Sequence, residues 1–313
     1  MKREILFSME SPYRDTFRIQ GFRFGEGEKT LAIVGAMRGD EIQQQYICSQ
    51  LVRHLLELEN QGKLANDYQI LIVPSANPFS MNIEKRFWAM DNTDINRMFP
   101  GYNLGETTQR IASGLFEAIK DFKYGIQLTS FYVPGNFIPH IRLQKTGYED
   151  IEGAKLFGMP YISIRKPKPY DTTLLNYNWQ TWGCKAYSLY SGQNDEISSP
   201  EAASAINTIL RYMQRIGLTT DTAKQLADFN SVVIDEKDLI SVITPTSGIF
   251  KRVRNAGHVV EKGDTLAYII DPYEGSVKSE IKSPTDGVVF FSHNKATCLQ
   301  NTPLFKIYDG TPI

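Results

Sequence analysis

The 313-residue sequence has few histidines and cysteines, no long apolar run and almost no net charge. Its three cysteines stand far apart and form no CxxC pair, which argues against a disulfide framework or a thiolate zinc site and favours buried free thiols. No run of about 18 apolar residues predicts a membrane-spanning helix, and the N-terminus turns polar too early for a signal peptide. A net charge of −1 gives no overall attraction to nucleic acid or to anionic membranes. We therefore expect a cytoplasmic protein with neither partner.

Hydrophobic patterning in residues 1–230 predicts an α/β domain, a mixed open sheet with flanking helices. The segments TLAIVGAM and QILIVPSAN are continuously apolar, as is typical of strands covered on both faces. Between them, apolar residues at helical spacing predict a helix from about Glu41 to Gly62, so the three elements form a βαβ unit. A second amphipathic helix is predicted over 199–216. Further strands are predicted in FRIQGFRFG, YGIQLTSFY and KAYSLYSG.

Residues 231–313 have a different texture, with short strands separated by Gly, Pro and Asn. A weak internal repeat, PTSGIF followed later by PTDGVV, predicts a small C-terminal all-β domain that resembles a lipoyl/biotinyl-type sandwich. Such carriers are modified on a lysine in an Asp-Lys or Met-Lys pair, and neither pair occurs in the segment DPYEGSVKSEIK that connects the two halves. We therefore interpret Lys278 and Lys282 as solvated strand residues, and the small domain as structural or as a wall beside the active cleft.

Residues 165–183, RKPKPYDTTLLNYNWQTWG, are basic and rich in proline and predict a long irregular loop. Two interpretations stay open for this loop, a lid over the site or a solvated excursion.

Asn, Arg and Asp are concentrated in the stretch VPSANPFSMNIEKRFWAMDNTDINRMFPGY (73–102). Arg86, Asn96 and Arg97 offer planar donors that can hold a carboxylate through paired hydrogen bonds. The alternative is that Asp94 and Arg97 form a surface ion pair, worth about 0 to 1 kcal/mol.

The order of several motifs resembles the succinylglutamate desuccinylase/aspartoacylase family of zinc hydrolases. These motifs are GxxxGDE after the first apolar strand, ANP after the second, DINRMFPG, IQLTSFYVPGNFIPHIRL and KAYSLYSG. The resemblance implies a zinc carboxypeptidase-like fold and hydrolysis of the amide bond of an N-acylated amino acid. It also implies a zinc ion held by an HxxE motif and a later His, with a separate Glu that moves protons. In the same way, it implies that Arg86 stabilises the oxyanion and that Asn96 with Arg97 binds the substrate carboxylate.

The metal ligands implied by the resemblance are not all present. At the HxxE position the chain has Arg38 and Glu41, so only the glutamate is kept, and at the later His position it has Thr129. The position of the proton-shuttling Glu aligns with Tyr190, and Asp195 and Glu196 lie close enough in sequence to be rivals.

A guanidinium is always protonated and cannot bind zinc, so no cofactor is predicted. Zinc remains the cofactor under the alternative of a rebuilt metal site. His140 matches a Pro-His pair often seen in the family, and structural hydrogen bonding is expected for it.

Charge suggests what replaced the metal. Our hypothesis is that Arg38 neutralises Glu41 and, with Arg86 and Arg97, forms a cationic pocket for a carboxylate or acyl group. The alternative is that Arg38 points to solvent. We therefore predict a deacylase-fold protein that binds a small carboxylate or N-acyl amino acid and has lost zinc-dependent hydrolysis. The competing prediction is an active hydrolase of N-acylated amino acids with an altered metal site. A homo-oligomer is a further possibility.

Overall fold

The fold is described from a computed structural model in residues 1–131, 134–192, 195–221 and 230–310. The chain divides into two compact units. The first contains Met1–Ser130 and Ile141–Val233, and the second contains Phe131–His140 and Ile234–Ile313. Sequence reasoning placed the boundary between residues 230 and 231. It therefore assigned the segment around residues 131–140 to the first domain, whereas the contacts place it in the second unit.

The helices and strands are numbered in chain order. The strands are β1 (Lys2–Met9), β2 (Phe17–Phe24), β3 (Glu28–Ala36), β4 (Tyr68–Ser75), β5 (Tyr124–Leu128), β6 (Gly135–Phe137), β7 (His140–Gln144), β8 (Tyr161–Arg165), β9 (Lys185–Tyr190), β10 (Val232–Asp235), β11 (Ile240–Ile243), β12 (Gly248–Arg252), β13 (Val259–Val260), β14 (Thr265–Ile270), β15 (Val277–Lys282), β16 (Gly287–His293), β17 (Thr297–Cys298) and β18 (Pro303–Tyr308). The helices are α1 (Ile42–Asn60), α2 (Pro78–Met81), α3 (Thr107–Ile119), α4 (Ile151–Lys155), α5 (Leu175–Thr181) and α6 (Ser199–Arg215), and short 3-10 helices lie at Ile95–Arg97, Pro169–Asp171 and Glu236–Asp238.

A mixed sheet of nine strands forms the centre of the first unit in the described part of the chain. Its order is β1-β2-β4-β3-β5-β9-β7-β8-β10. Strand β3 runs parallel to β4 and to β5, and β5 runs parallel to β9, whereas β1, β2 and β4 pair antiparallel. The continuously apolar β3 is buried on both faces from Leu31 to Ala36, as its sequence predicts. The predicted α/β class is therefore confirmed.

Helices cover both faces of this sheet. Helix α1 packs on it through Ile47, Leu51 and Leu55, which recur at helical spacing and are fully buried. Helix α3 packs on the other face through Ile111 and Leu115. The predicted strand YGIQLTSFY is observed as β5, which ends at Leu128, and the last residue of that prediction lies outside the described residues. Among the described residues, no helix has the length and apolar content needed to cross a membrane.

The second unit is all-β. One sheet has the order β11-β18-β16-β13 with β6 paired to β16, and the other has the order β15-β14-β12-β17. Their apolar side chains form a core of their own, which includes Leu266, Ile269 and Phe305. The predicted C-terminal all-β domain is thus confirmed. Lys278 and Lys282 lie on β15, and each has an acidic neighbour.

Residues 165–183 are not an irregular loop along their whole length. They contain a 3-10 helix and helix α5, and Leu175 and Trp179 of α5 are fully buried in the core. The indole nitrogen of Trp179 donates a hydrogen bond to the carbonyl oxygen of Ile119. Both interpretations from sequence, the lid and the solvated excursion, are therefore wrong for α5, because burial of its apolar residues outweighs the proline-rich composition around it.

Candidate functional site

Two loops at the carboxyl edge of the central sheet bring the predicted site residues together. Strands β3 and β5 are parallel neighbours, so the residues after β3 and the residues after β5 emerge side by side. Arg38 and Glu41 belong to the first loop, and Thr129 and Ser130 belong to the second. Parallel pairing therefore explains how residues about ninety positions apart in the chain meet.

Arg38 is buried and surrounded by acidic partners. Only 6% of its side chain is exposed, so the alternative that it points to solvent is wrong. Its Nη1 donates to Glu41 Oε1 at 3.0 Å, and its Nη2 and Nε donate to Asp94 Oδ2 at 2.8 and 3.2 Å. Burial acts to lower the pKa of Arg38, but the charges of Asp94 and Glu41 outweigh burial and raise the pKa above its ordinary value. Arg38 is therefore a fixed positive charge at this corner.

The Glu41 carboxylate is fully buried and uses both oxygens within the protein. Oε2 accepts hydrogen bonds from the backbone nitrogens of Met37 and Arg38 at 2.8 and 3.0 Å. Oε1 accepts from Arg38 and from the hydroxyl of Ser130. Four donors thus surround the one residue that the sequence keeps from the implied metal motif.

Ser130 links Arg38 to Arg86. Its hydroxyl oxygen accepts hydrogen bonds from Arg38 Nη1 at 3.4 Å and from Arg86 Nη2 at 3.5 Å. The other nitrogen of Arg86, Nη1, donates to Asp40 Oδ2 at 2.9 Å. We call these residues, with Glu41, Asp94 and Arg97, the Arg38 cluster. Three arginines and three carboxylates balance its charge.

Arg97 is the most exposed arginine of the Arg38 cluster, with 36% of its side chain accessible. Its Nη1 donates to the carbonyl oxygen of Tyr170 at 3.0 Å and its guanidinium lies over the Tyr170 ring. Its Nε is 3.8 Å from Asp94 Oδ2, so the surface ion pair considered from sequence is present but long. This arginine therefore sits at the accessible side of the cluster.

Asn96 is buried and held in place by the chain around it. Its side-chain oxygen accepts hydrogen bonds from Gln127 Nε2 at 3.2 Å and from the backbone nitrogen of Leu175 at 3.4 Å. Its backbone nitrogen donates to Asp94 Oδ1, which caps the 3-10 helix. The geometry thus gives the Asn96 oxygen a structural task and fixes the direction in which Arg97 leaves the backbone.

Tyr190 lies on the next parallel strand, β9, and is 6% exposed. Its hydroxyl accepts a hydrogen bond from Arg142 Nη2, and the Arg142 guanidinium lies 4.2 Å from the centre of its ring. Thr129, at the other replaced position, is buried, and its backbone nitrogen donates to the carbonyl oxygen of Leu189 at 3.1 Å. Asp195 and Glu196, the rivals for the Tyr190 position, are exposed.

The residues at the implied metal positions do not fit a zinc ion. Arg38 brings a permanent positive charge, Thr129 brings a neutral hydroxyl, and the Glu41 oxygens are already occupied by four donors. Across the described ranges, no group of three or more His, Cys, Asp or Glu side chains is placed to hold a metal ion.

His140 lies in the second unit. Its Nδ1 is 2.8 Å from the carbonyl oxygen of Ile138, a hydrogen bond of the structural kind expected for this residue.

Sequence reasoning missed four members of this arrangement. Asp94 was considered only as a partner of Arg97, and Ser130, Asp40 and Arg142 were not considered as site residues. Asp94 carried a usable signal, because it lies within DINRMFPG, next to the residues that were selected. The local sequence gave no such signal for Ser130 and Arg142, because their role depends on which strands are neighbours in the sheet.

Comparisons with known proteins agree with this fold and with the motifs. Residues 27–128 match the model of the succinylglutamate desuccinylase/aspartoacylase catalytic domain. The N-alpha-acetyl-L-2,4-diaminobutyric acid deacetylase of Halomonas elongata is 22% identical over 281 residues, which cover 85% of this chain and 77% of that protein.

Solved structures show the same fold. A succinylglutamate desuccinylase/aspartoacylase from Rhodobacter sphaeroides superposes with a TM-score of 0.78 at 19% identity, covering 95% of this chain and 90% of its own. The product-bound ectoine utilization protein EutE (DoeB) from Ruegeria pomeroyi superposes with a TM-score of 0.79 at 19% identity, covering 93% of this chain and 89% of its own. These likenesses show the fold, and the family model over residues 27–128 supports the family that the motifs indicated.

Proposed function

Since residues 27–128 match the catalytic-domain model of the succinylglutamate desuccinylase/aspartoacylase family, we propose that the chain uses a deacylase fold to bind a small carboxylate, such as an N-acylated amino acid, without zinc-dependent hydrolysis. The proposal concerns the Arg38 cluster at the carboxyl edge of the sheet. A cytoplasmic location stays a prediction.

The observation that carries the proposal is the ion pair of Arg38 with Glu41 at 3.0 Å. A guanidinium now supplies the positive charge that the buried Glu41 needs, and Asp94 adds a second acidic partner at 2.8 Å. Because Arg38 already donates to Glu41, Asp94 and Ser130, its role in the proposal is to neutralise these groups and hold the two loops together. Ligand binding then falls to the more exposed cations.

Arg97 and Arg86 are the cations that support ligand binding. Arg97 is 36% exposed, and its Nη1 has a neutral carbonyl oxygen as its partner. Arg86 is 24% exposed and shares its charge with Asp40. A planar guanidinium that can give two parallel hydrogen bonds is well suited to a carboxylate. We therefore assign the ligand carboxylate to Arg97, and the polar acyl oxygen to Arg86.

Calorimetric titration with a panel of N-acetylated amino acids tests the proposal. Wild-type protein is expected to bind at least one of them, and Arg97→Gln is expected to weaken that binding about tenfold or more, the usual effect of losing a charge-assisted hydrogen bond. Arg53→Gln, an exposed arginine of α1, is the matched control and should bind as wild type does. Absence of binding across the panel, or equal affinity in Arg97→Gln, would refute the proposal.

A second candidate function is hydrolysis of N-acylated amino acids, and a specific comparison favours it. The relative from Halomonas elongata is a deacetylase and matches over 85% of this chain. Incubating the same panel with and without zinc, and then with a chelator, separates the two functions. Chelator-sensitive release of free amino acid would establish the hydrolase and exclude the binding-only function.

A further inference from the structure

A cavity of about 530 Å³ lies in the first unit between strand β2 and helix α1. Strand β2 buries Phe17 and Ile19 on one face and turns Arg18, Gln20 and Phe22 toward the cavity on the other. Its volume is within the range of small-molecule sites in proteins, about 300 to 1,000 Å³.

One stripe of helix α1 forms the opposite wall. Gln45, Ser49 and Val52 recur at spacings of four and three, so they share one side of the helix. Apolar surface comes from Phe22 and Val52 and from Pro74, Pro78 and Phe79 at the end of the cavity formed by β4 and α2. The cavity is therefore a mainly apolar cleft with a few polar groups, which is the usual character of a ligand site.

Arg18 is the one charged side chain among the described residues that line the cavity. Arg18 is exposed and has no hydrogen bond or ion pair from its side chain in the described part of the chain. Arg3 reaches the same face from β1, and its Nε donates to the neutral side-chain oxygen of Gln20 at 2.9 Å. No acidic side chain is among the described residues that line the cavity. The described lining of the cavity therefore carries a positive charge and no negative one.

Gln45 adds a specific requirement. Its side-chain oxygen is buried and accepts no hydrogen bond from the described residues. A buried acceptor without a donor costs about 1 to 3 kcal/mol. Rotation of the Gln45 side chain would bring this oxygen into the cavity, where a ligand N–H or O–H group would relieve that cost. A charged ammonium group fits poorly, because no acidic side chain lines the cavity and Arg18 would repel it.

We propose that this cavity is a second binding site, separate from the Arg38 cluster, for a small carboxylate that carries a neutral amide N–H and an apolar side chain. Arg18 binds the carboxylate, Gln45 accepts the hydrogen bond from the amide N–H, and the apolar side chain lies against Phe22, Val52 and Phe79.

Calorimetric titration of the full chain with N-acetyl-L-leucine tests this site. Arg18→Gln should weaken binding at this site about tenfold or more, and Ser49→Phe, at an exposed position of α1, should abolish it by filling the cavity. Arg53→Gln, on α1 but outside the cavity, should leave it unchanged. N-acetyl-L-leucinamide lacks the carboxylate and 4-methylpentanoate lacks the amide N–H, so both should bind more weakly than N-acetyl-L-leucine.

Titration of Arg97→Gln separates this site from the Arg38 cluster. The second site predicts that N-acetyl-L-leucine still binds this variant and that the remaining binding is lost on adding Ser49→Phe. The second site is refuted if Ser49→Phe and Arg18→Gln both bind N-acetyl-L-leucine as wild type does, or if Arg97→Gln alone removes all binding. If binding is lost only in the cavity variants, ligand binding at the Arg38 cluster is left without support.

Discussion

Replacing Arg38 by Met tests how much the buried ion pairs contribute. The substitution keeps the apolar stem but leaves the Glu41 carboxylate without a cation and Asp94 with only the longer contact to Arg97. Breaking a buried pair in this way costs about 3 to 5 kcal/mol. Glu41 keeps two backbone donors and Ser130, and Asp94 keeps the Asn96 backbone nitrogen, so we expect the lower end, about 3 kcal/mol. Urea unfolding at neutral pH measures the change in the free energy of unfolding.

A double-mutant cycle then isolates the pair itself. If Arg38 and Glu41 stabilise each other, Arg38→Met combined with Glu41→Gln should cost less than the sum of the two single variants, by about 0.5 to 3 kcal/mol. The control is Arg53→Met, at an exposed position of α1, for which a change within about 0.5 kcal/mol is expected. An Arg38→Met protein as stable as this control would refute the reasoning.

Three further predictions concern other parts of the chain. A Cβ at Gly39 would lie 2.2 Å from the carbonyl oxygen of Lys85, so Gly39→Ala should destabilise the fold by about 1 to 3 kcal/mol. A free energy of unfolding equal to that of wild type would contradict this close contact. Tyr190→Phe removes one acceptor of Arg142 Nη2 and should lower the free energy of unfolding by about 1 to 3 kcal/mol in urea unfolding. No loss of stability would show that this hydrogen bond contributes nothing. Burial lowers the pKa of His293 below 6.5, so the unfolded chain binds the extra proton and stability should fall as the pH drops below that value. His293→Gln should flatten this dependence in unfolding measured across pH, and an unchanged slope would exclude His293 as its source.

Local sequence was enough to predict the parts of the site that lie close together in the chain. Arg38 and Glu41 are three residues apart at a strand-to-helix corner, so their ion pair follows from spacing and charge. Asp94 is 56 residues from Arg38, and Ser130 is 92 residues away. Their contacts depend on strand order, which no local pattern specifies.

Two differences between the sequence expectations and the fold have similar causes. Proline and lysine in residues 165–183 predict a loop, but burial of Trp179 against β5 stabilises helix α5 there. The short strand β6 pairs with β16, more than 150 residues later, and this long-range pairing assigns 131–140 to the second unit. Helix α1 and strand β3 were predicted well because long apolar patterns with a clear period depend little on distant partners.

The most direct test of the proposed function is the zinc content of the protein together with its activity. Wild-type protein equilibrated with zinc and then dialysed is expected to retain much less than one zinc ion per chain and to show no chelator-sensitive hydrolysis of N-acetylated amino acids. The variant Arg38→His/Thr129→His, which restores the two missing ligand types beside Glu41, is expected to retain zinc. One zinc ion per wild-type chain, with turnover that a chelator abolishes, would contradict the account.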